Sequence, residues 1–182
     1  MIRGGLFFAM LFACKSHPAE HRDLIPTTTA AIKLDGELDE PDWSERTLRH
    51  VLVADDHEPA RPYSEAFLLH DDHYLYLGLY AADEDIRTGE YFDVKIGGLA
   101  FHADATGVVT PNLVGIRTSI DRDGTLDDPS NDDEEWVLEL AIPLAATGLG
   151  ASEKALMISR CDTPKDRIRR CGAWTTEVLL AP

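Results

Sequence analysis

Acidic side chains supply most of the chemistry that this sequence could perform. The densest run, SIDRDGTLDDPSNDDEE at residues 119–135, puts Asp121, Asp123 and Asp127 at the third, fifth and ninth positions of a twelve-residue EF-hand calcium loop. Serines stand at the first and twelfth positions, Ser119 and Ser130, where Asp and Glu are expected. Two interpretations therefore stay open: a hairpin loop that binds Ca²⁺ through the three aspartates, or a solvated acidic turn.

A second acidic stretch, KLDGELDEPDW at residues 33–43, is better explained by local structure than by catalysis. Asp35-Gly36 predicts a tight turn, because glycine adopts positive φ angles without steric cost. The acids on either side of Pro41 suit the N-terminus of a short helical turn, predicted for Pro41–Arg46. Trp43 is predicted to fill the core, so we interpret the stretch as structural.

Composition and missing motifs exclude several classes of protein. The chain lacks a GxSxG nucleophile elbow, an HExxH metal motif, a phosphate-cradling glycine loop and a dinucleotide fingerprint, so an enzyme is not expected. Its 33 Asp and Glu against 17 Lys and Arg give a formal net charge of −16. Such a surface repels phosphate backbones, which argues against binding of nucleic acid. A length of 182 residues with 44% hydrophobic side chains fits one folded domain.

The N-terminus has the features of an export signal. Arg3 precedes an apolar run, Leu6–Ala13, that is too short to span a bilayer. The run ends in Leu11-Phe12-Ala13-Cys14, which resembles a bacterial lipobox and implies that Cys14 carries lipid; the alternative is an ordinary signal peptide with an incidental cysteine. We predict a signal peptide at residues 1–13, a tether at 14–26 and a domain at 27–182. The protein is then expected to be extracytoplasmic and attached to the bacterial cell envelope by lipid alone, at the outer membrane because Lys15 follows the cysteine.

Two further cysteines and a group of basic residues lie near the C-terminus. Cys161 and Cys171 form an even pair in an oxidising compartment, and without a CxxC motif or a nearby histidine they predict a disulfide rather than a zinc site. The bridge would rigidify a hairpin carrying basic side chains that could bind an anionic partner, although these charges could equally offset nearby acids. The basic residues are Arg160, Lys165, Arg167, Arg169 and Arg170.

The elements that must position these side chains are β-strands. Short runs of alternating or continuous apolar residues are separated by Gly, Pro, Asn and Asp turn signals, and no segment keeps a helical period over twelve residues. About ten such strands predict an all-β antiparallel sandwich with minimal helix. The predicted strands are Ala31–Leu34, Leu48–Val53, Glu65–Leu69, Tyr74–Ala81, Tyr91–Ile96, Leu99–Ala103, Leu113–Ile120, Trp136–Ile142, Ala155–Cys161 and Cys171–Leu180.

Three stretches together resemble the family 9 carbohydrate-binding modules. IKLDGELDEPDW resembles the opening Ile-x-x-Asp-Gly-x-x-Asp-Glu-x-x-Trp pattern of that family, and LLHDDHYLYLGLYAADEDI resembles its central hairpin. EEWVLELAIPL resembles its late strand, with an aromatic residue followed by Glu-x-Ala-Ile-Pro. The resemblance covers most of Ile32–Leu144. It implies a β-sandwich that binds sugars, often at chain ends, with calcium ions in its framework.

The resemblance also implies a set of ligand-binding residues. In the family two tryptophans sandwich the sugar beside a strand with a central acidic residue. That strand is EYFDVKIGG here, with Asp93 at the acidic position, and the next strand would add His102 and Asp104. Trp174 would be the C-terminal tryptophan, whereas the other tryptophan is absent and Tyr91 is the nearest aromatic residue.

The function expected from these residues is non-catalytic binding of a glycan or cell-envelope polysaccharide by a surface lipoprotein. One alternative is a structural or protein-interaction lipoprotein built on the same scaffold. A further alternative is haem binding, in which Met157 or a histidine would be the axial ligand.

Overall fold

The computed structural model describes residues 22–150, 152–163, 165 and 167–182; the predicted signal peptide and Cys14 lie outside these ranges. The described chain folds into two facing sheets, as the predicted sandwich requires. Six strands form one sheet in the order β1-β11-β10-β5-β6-β7, and five form the other in the order β2-β3-β4-β9-β8. The strands are β1 Arg22–Ile25, β2 Leu48–Val51, β3 Ser64–His70, β4 Tyr74–Ala82, β5 Tyr91–Ile96, β6 Leu99–Asp104, β7 Val109–Thr110, β8 Arg117–Asp123, β9 Glu135–Pro143, β10 Lys154–Asp162 and β11 Arg170–Leu180.

Helix is confined to two short segments in the described residues. The predicted helical turn is present as α1, Pro41–Glu45, with Pro41 at its start. A second segment, α2 at Leu144–Thr147, ends at Gly148 in the left-handed conformation. No helix within the described ranges is long and apolar enough to cross a membrane.

The first strand lies in the segment predicted to be a tether. Residues Arg22–Ile25 pair in parallel with Glu177–Leu180 of β11, and Ile25 is fully buried between the sheets. The predicted boundary at residue 26 is therefore too late, and the six-stranded sheet is not wholly antiparallel. Only two apolar residues mark this strand in the sequence, which is too few for a period-two pattern to be recognised.

Two other predicted strands differ in the structure. Residues 31–34 have no strand partner, because Ile32 and Leu34 pack with Trp43 on the outer face of the five-stranded sheet. The N–H of Lys33 donates to the Glu40 carboxylate at 2.8 Å instead of to a neighbouring strand. The strand predicted at Leu113–Ile120 begins later, at Arg117, and continues to Asp123.

The strands bury alternate residues, which separates a core face from an outer face on each sheet. On β5, Phe92, Val94 and Ile96 are buried in the core, whereas Tyr91, Asp93 and Lys95 point the other way. The register carries this alternation across the sheet: Asp93 pairs with His102 of β6 and with Ser159 of β10. Side chains that share a register row therefore lie on the same face.

The acidic stretch at residues 33–43 is a clip over the outer face of the five-stranded sheet. Glu139, on β9, is fully buried beneath it, and its Oε2 accepts the backbone N–H groups of Asp35 and Gly36, both at 2.9 Å. Its Oε1 accepts the indole N–H of Trp43 at 3.1 Å. The first and third family-like motifs thus meet at one carboxyl group, and Trp43, 2% exposed, is core as predicted.

Gly36 is required at the centre of this clip. Its φ is +95°, and a Cβ there would lie 2.3 Å from the backbone nitrogen of Asp121. The chain bends at Asp35-Gly36 with the positive φ that the sequence predicts, and the bend brings Gly36 close to β8. Burial raises the pKa of Glu139 to about 7, although the hydrogen bonds from Gly36 and Asp35 act in the opposite direction.

Candidate functional site

Three polar side chains meet on the outer face of the six-stranded sheet. The Nδ1 atom of His102 lies 2.5 Å from Oδ1 of Asp93, its register partner. The ring of Tyr91 packs edge-on against the His102 imidazole, with centroids 4.7 Å apart. The side chains of His102 and Asp93 are 50% and 36% exposed, so this face presents an aromatic ring, an imidazole and a carboxylate to solvent.

Asp104 lies on the same face but is used to hold a turn. It is the register partner of Tyr91, and its Oδ1 accepts the backbone N–H groups of Thr106 and Val108 at 2.9 and 3.0 Å. The hydroxyl of Thr106 also donates to this oxygen, at 2.6 Å. The structure therefore places Asp104 beside the face as a turn residue, with one carboxylate oxygen already satisfied.

Residues that the sequence did not single out extend this face. Ser159 pairs with Asp93, and Lys95 pairs with Met157, so a hydroxyl and an ammonium group flank the carboxylate. Alternation along EYFDVKI could have placed Lys95 on this face. Ser159 could not have been found in this way, because the sequence does not reveal that β10 pairs with β5.

Trp174 lies on the opposite side of the sheet, so the expected pairing of Trp174 with Asp93 and His102 is wrong. Trp174 pairs with Ile158, which in turn pairs with Val94, and all three belong to the core face. The indole is 4% exposed and stacks on the ring of His50, with centroids 4.9 Å apart and planes 5° from parallel. In GAWTTE a shift of one residue exchanges the two faces, and the structure buries the large apolar ring rather than Ala173.

The aspartates predicted to bind calcium do not form a common site. Asp121 and Asp123 lie on β8, whereas Asp127 lies in the following loop, where its two oxygens accept the N–H and the hydroxyl of Thr88 at 2.9 and 2.6 Å. Of the two interpretations, the structure favours the acidic turn, because no group of three ligating residues forms from these aspartates in the described part of the chain. The first part of the acidic stretch at residues 119–135 is extended in β8, so it cannot form a loop around an ion.

The acids that do converge are Asp83, Glu90 and Asp162. Each offers an oxygen within 4.8 Å of the others, although they come from three separate segments of the chain. Nη2 of Arg160 lies 2.6 Å from Oδ2 of Asp83, 3.4 Å from Oδ2 of Asp162 and 3.9 Å from Oε2 of Glu90. Burial raises the pKa of Glu90 to about 10, and the Asp83 and Asp162 carboxyls act in the same direction.

The predicted disulfide is present, but the basic group around it is divided. Cys161 and Cys171 are bonded and face each other on β10 and β11. Arg160 is 3% exposed and points into the core, so it cannot belong to a surface group. Lys165 donates to the Asp132 carboxylate at 2.6 Å. Arg169 and Arg170 line a cavity of about 770 Å³, which is also lined by Asp55, Asp56 and Glu58.

A shallow cavity of about 480 Å³ lies on the outer face of the five-stranded sheet, beside the clip. Phe67, Tyr80 and Asp121 are among its lining residues. The guanidinium of Arg49 lies over the Phe67 ring, 5.5 Å from the centroid, and pairs with Glu65, so one of these aromatic faces is already covered.

Comparison with known proteins identifies the fold. No family model matches the sequence, and no curated protein sequence matches it with significance. Two solved structures of a carbohydrate binding module of family 9 from Caldicellulosiruptor kristjanssonii, in complex with cellotriose and with glucose, superpose with TM-scores of 0.62 and 0.61 at 12% identity. The match covers 88% of this chain and 93% and 96% of theirs. A Bacteroides uniformis structure matches at TM-score 0.59 and 11% identity, over 90% of this chain and all of that one. The resemblance found in the sequence is thus confirmed as a likeness of fold.

Proposed function

We propose that this protein binds a glycan, without catalysis, at the outer face of the six-stranded sheet. The observation that carries the proposal is the exposed group of Asp93, His102 and Tyr91 on that face. Its scaffold is shared with modules solved with cellotriose and with glucose. The proposed site is smaller than the one expected from the sequence, because Trp174 does not reach this face.

The chemistry of the group suits a sugar ring. The Asp93 carboxylate accepts hydrogen bonds from hydroxyl groups, and His102 keeps its second ring nitrogen for another polar contact. Tyr91, 37% exposed, offers an aromatic surface to the apolar side of a pyranose. Ser159 and Lys95 supply donors at the next positions of the same face.

The proposed location is the extracytoplasmic side of the bacterial cell envelope, with attachment through lipid on Cys14. Support comes from the Cys161–Cys171 bond, because structural disulfides persist in oxidising compartments. Position 14 itself lies outside the described residues. A glycan of the envelope or of the surroundings would then reach the domain directly.

The proposal is tested by screening the protein on a glycan array and titrating the strongest ligand calorimetrically. Asp93→Asn and His102→Ala are each expected to weaken binding about tenfold, since losing a central polar contact costs about 1–3 kcal/mol. Asp121→Asn is the matched control, because this aspartate is exposed on the outer face of the other sheet. Equal affinity in wild type, Asp93→Asn and His102→Ala would refute the site, and failure of every glycan to bind would refute the function.

A further inference from the structure

Arg160 stands at a position of β10 that the strand pattern reserves for the core. Its neighbours on that face are Ile158 and Asp162, and its side chain is 2% exposed. The guanidinium lies near carboxyl groups from three segments: Asp83 after β4, Glu90 before β5 and Asp162 at the end of β10. Burying a cation among three acids removes charged groups from water, and the contacts around the guanidinium must offset this desolvation cost.

Further contacts hold the guanidinium in place. Nη1 donates to the hydroxyl of Ser64 at 3.2 Å and to the carbonyl of Ala82 at 3.0 Å. The Arg160 guanidinium also lies over the Trp136 ring, 5.6 Å from its centroid, and the indole N–H of Trp136 donates to Asp83 at 3.2 Å. Ser64, Ala82 and Trp136 belong to the five-stranded sheet, whereas Arg160 lies on β10 of the six-stranded sheet, so Arg160 links the two layers of the sandwich.

The same carboxylates are the type of ligand that a calcium ion requires. Ca²⁺ takes six to eight oxygen ligands at about 2.3–2.6 Å, and three carboxylate oxygens here lie within 4.8 Å of one another. The resemblance to family 9 modules implies calcium in the framework. The residues present do not fit that ion, because the Arg160 guanidinium already lies among the three acids, and two unshielded cations in one buried site repel strongly.

We infer that Arg160 is a built-in cation that stands in for a framework metal ion, so that this chain is stable without metal and becomes a divalent-cation binder when the guanidinium is removed. A planar guanidinium cannot satisfy all three acids. Oε2 of Glu90 and Oδ2 of Asp162 are buried and accept no hydrogen bond, and Nε of Arg160 donates none. These oxygens are the ligands that a spherical ion would recover in place of the side chain.

The test compares wild type with Arg160→Ser in EDTA and in millimolar CaCl₂. The melting temperature of wild type should be the same in both. That of Arg160→Ser should be lower in EDTA and should rise by about 5–10 °C with calcium, the shift produced by a ligand at about 100 times its Kd. The double variant Arg160→Ser with Asp162→Asn is the control and should lose most of this rise.

Terbium luminescence gives a second readout, because Trp136 lies beside the acids and can sensitise a lanthanide bound there. Arg160→Ser with Tb³⁺ should emit at least about tenfold more than wild type on tryptophan excitation. The inference would be overturned if wild type showed terbium emission or a calcium-dependent rise in melting temperature, and Asp83→Asn abolished it. It would also be overturned if Arg160→Ser folded but its melting temperature did not change with calcium. If Arg160→Ser does not fold in EDTA, refolding from urea decides: soluble protein only with calcium supports the inference, and failure in both contradicts it.

Discussion

Replacing Glu139 by alanine is expected to lower the free energy of unfolding by about 4 kcal/mol at pH 5. Two buried donors, the Gly36 N–H and the indole N–H of Trp43, would lose their acceptor, at a cost of about 1–3 kcal/mol each. The void left by the side chain adds to this. Urea denaturation measures the change. Asp121→Ala, exposed on the neighbouring strand, should stay within about 0.5 kcal/mol of wild type, and an equally small change in Glu139→Ala would contradict the role of the clip.

The same carboxyl makes stability depend on pH. Its pKa is raised on folding from the ordinary value of 4.5 to about 7, so the folded state holds the proton more tightly than the unfolded state. The resulting stabilisation is complete below the unfolded pKa and is lost as the pH rises through 7, amounting to about 2–3 kcal/mol between pH 5 and pH 8. Glu139→Gln cannot titrate and should lose this part of the pH dependence. Parallel stability curves for the two proteins would show that Glu139 does not titrate in this range.

Trp174→Ala is the second change with a large expected effect, and it separates the two possible positions of this side chain. Because the indole is 4% exposed and belongs to the core, its removal should lower the free energy of unfolding by about 3–5 kcal/mol. Affinity for a bound glycan, measured below the melting temperature of the variant, should change by less than about twofold.

His50→Ala is a useful companion to Trp174→Ala, because it removes the exposed ring that stacks on Trp174 and leaves the core side chain in place. It should cost only about 1 kcal/mol. A large loss of glycan affinity in a stably folded Trp174→Ala would contradict the assignment of this tryptophan to the core.

Many of the strands can be predicted from the sequence, because alternation and turn residues are local signals. Alternation and turn residues gave β5 at Tyr91–Ile96 with the observed bounds, and β4 to within one residue. Strand β1 was missed because four residues pairing with the far end of the chain carry no periodic signal of their own. The burial of Glu139 beneath the clip depends on a contact between residues more than a hundred positions apart, which no local pattern contains.

The candidate site was only partly predictable, for a related reason. Strand register sets which side chains share a face, and a slip of one position moves a residue to the opposite face. For Asp93 and His102 the short turn between β5 and β6 fixes the register. For Trp174, the β11 residues that face the two sides of the sheet are too similar in polarity to predict which side the indole takes. Its charge groups Arg160 with the surface cations in the sequence, although alternation with Leu156 and Ile158 places it on the core face of β10.

Titrating the ¹⁵N-labelled protein with its glycan, and following the backbone amide shifts, locates the face of the sandwich that binds the ligand. The largest shift changes are expected at Asp93, His102 and Ser159, on the outer face of the six-stranded sheet. Changes centred on Trp174 and His50, or on the cavity beside Tyr80 and Asp121, would contradict the proposed site.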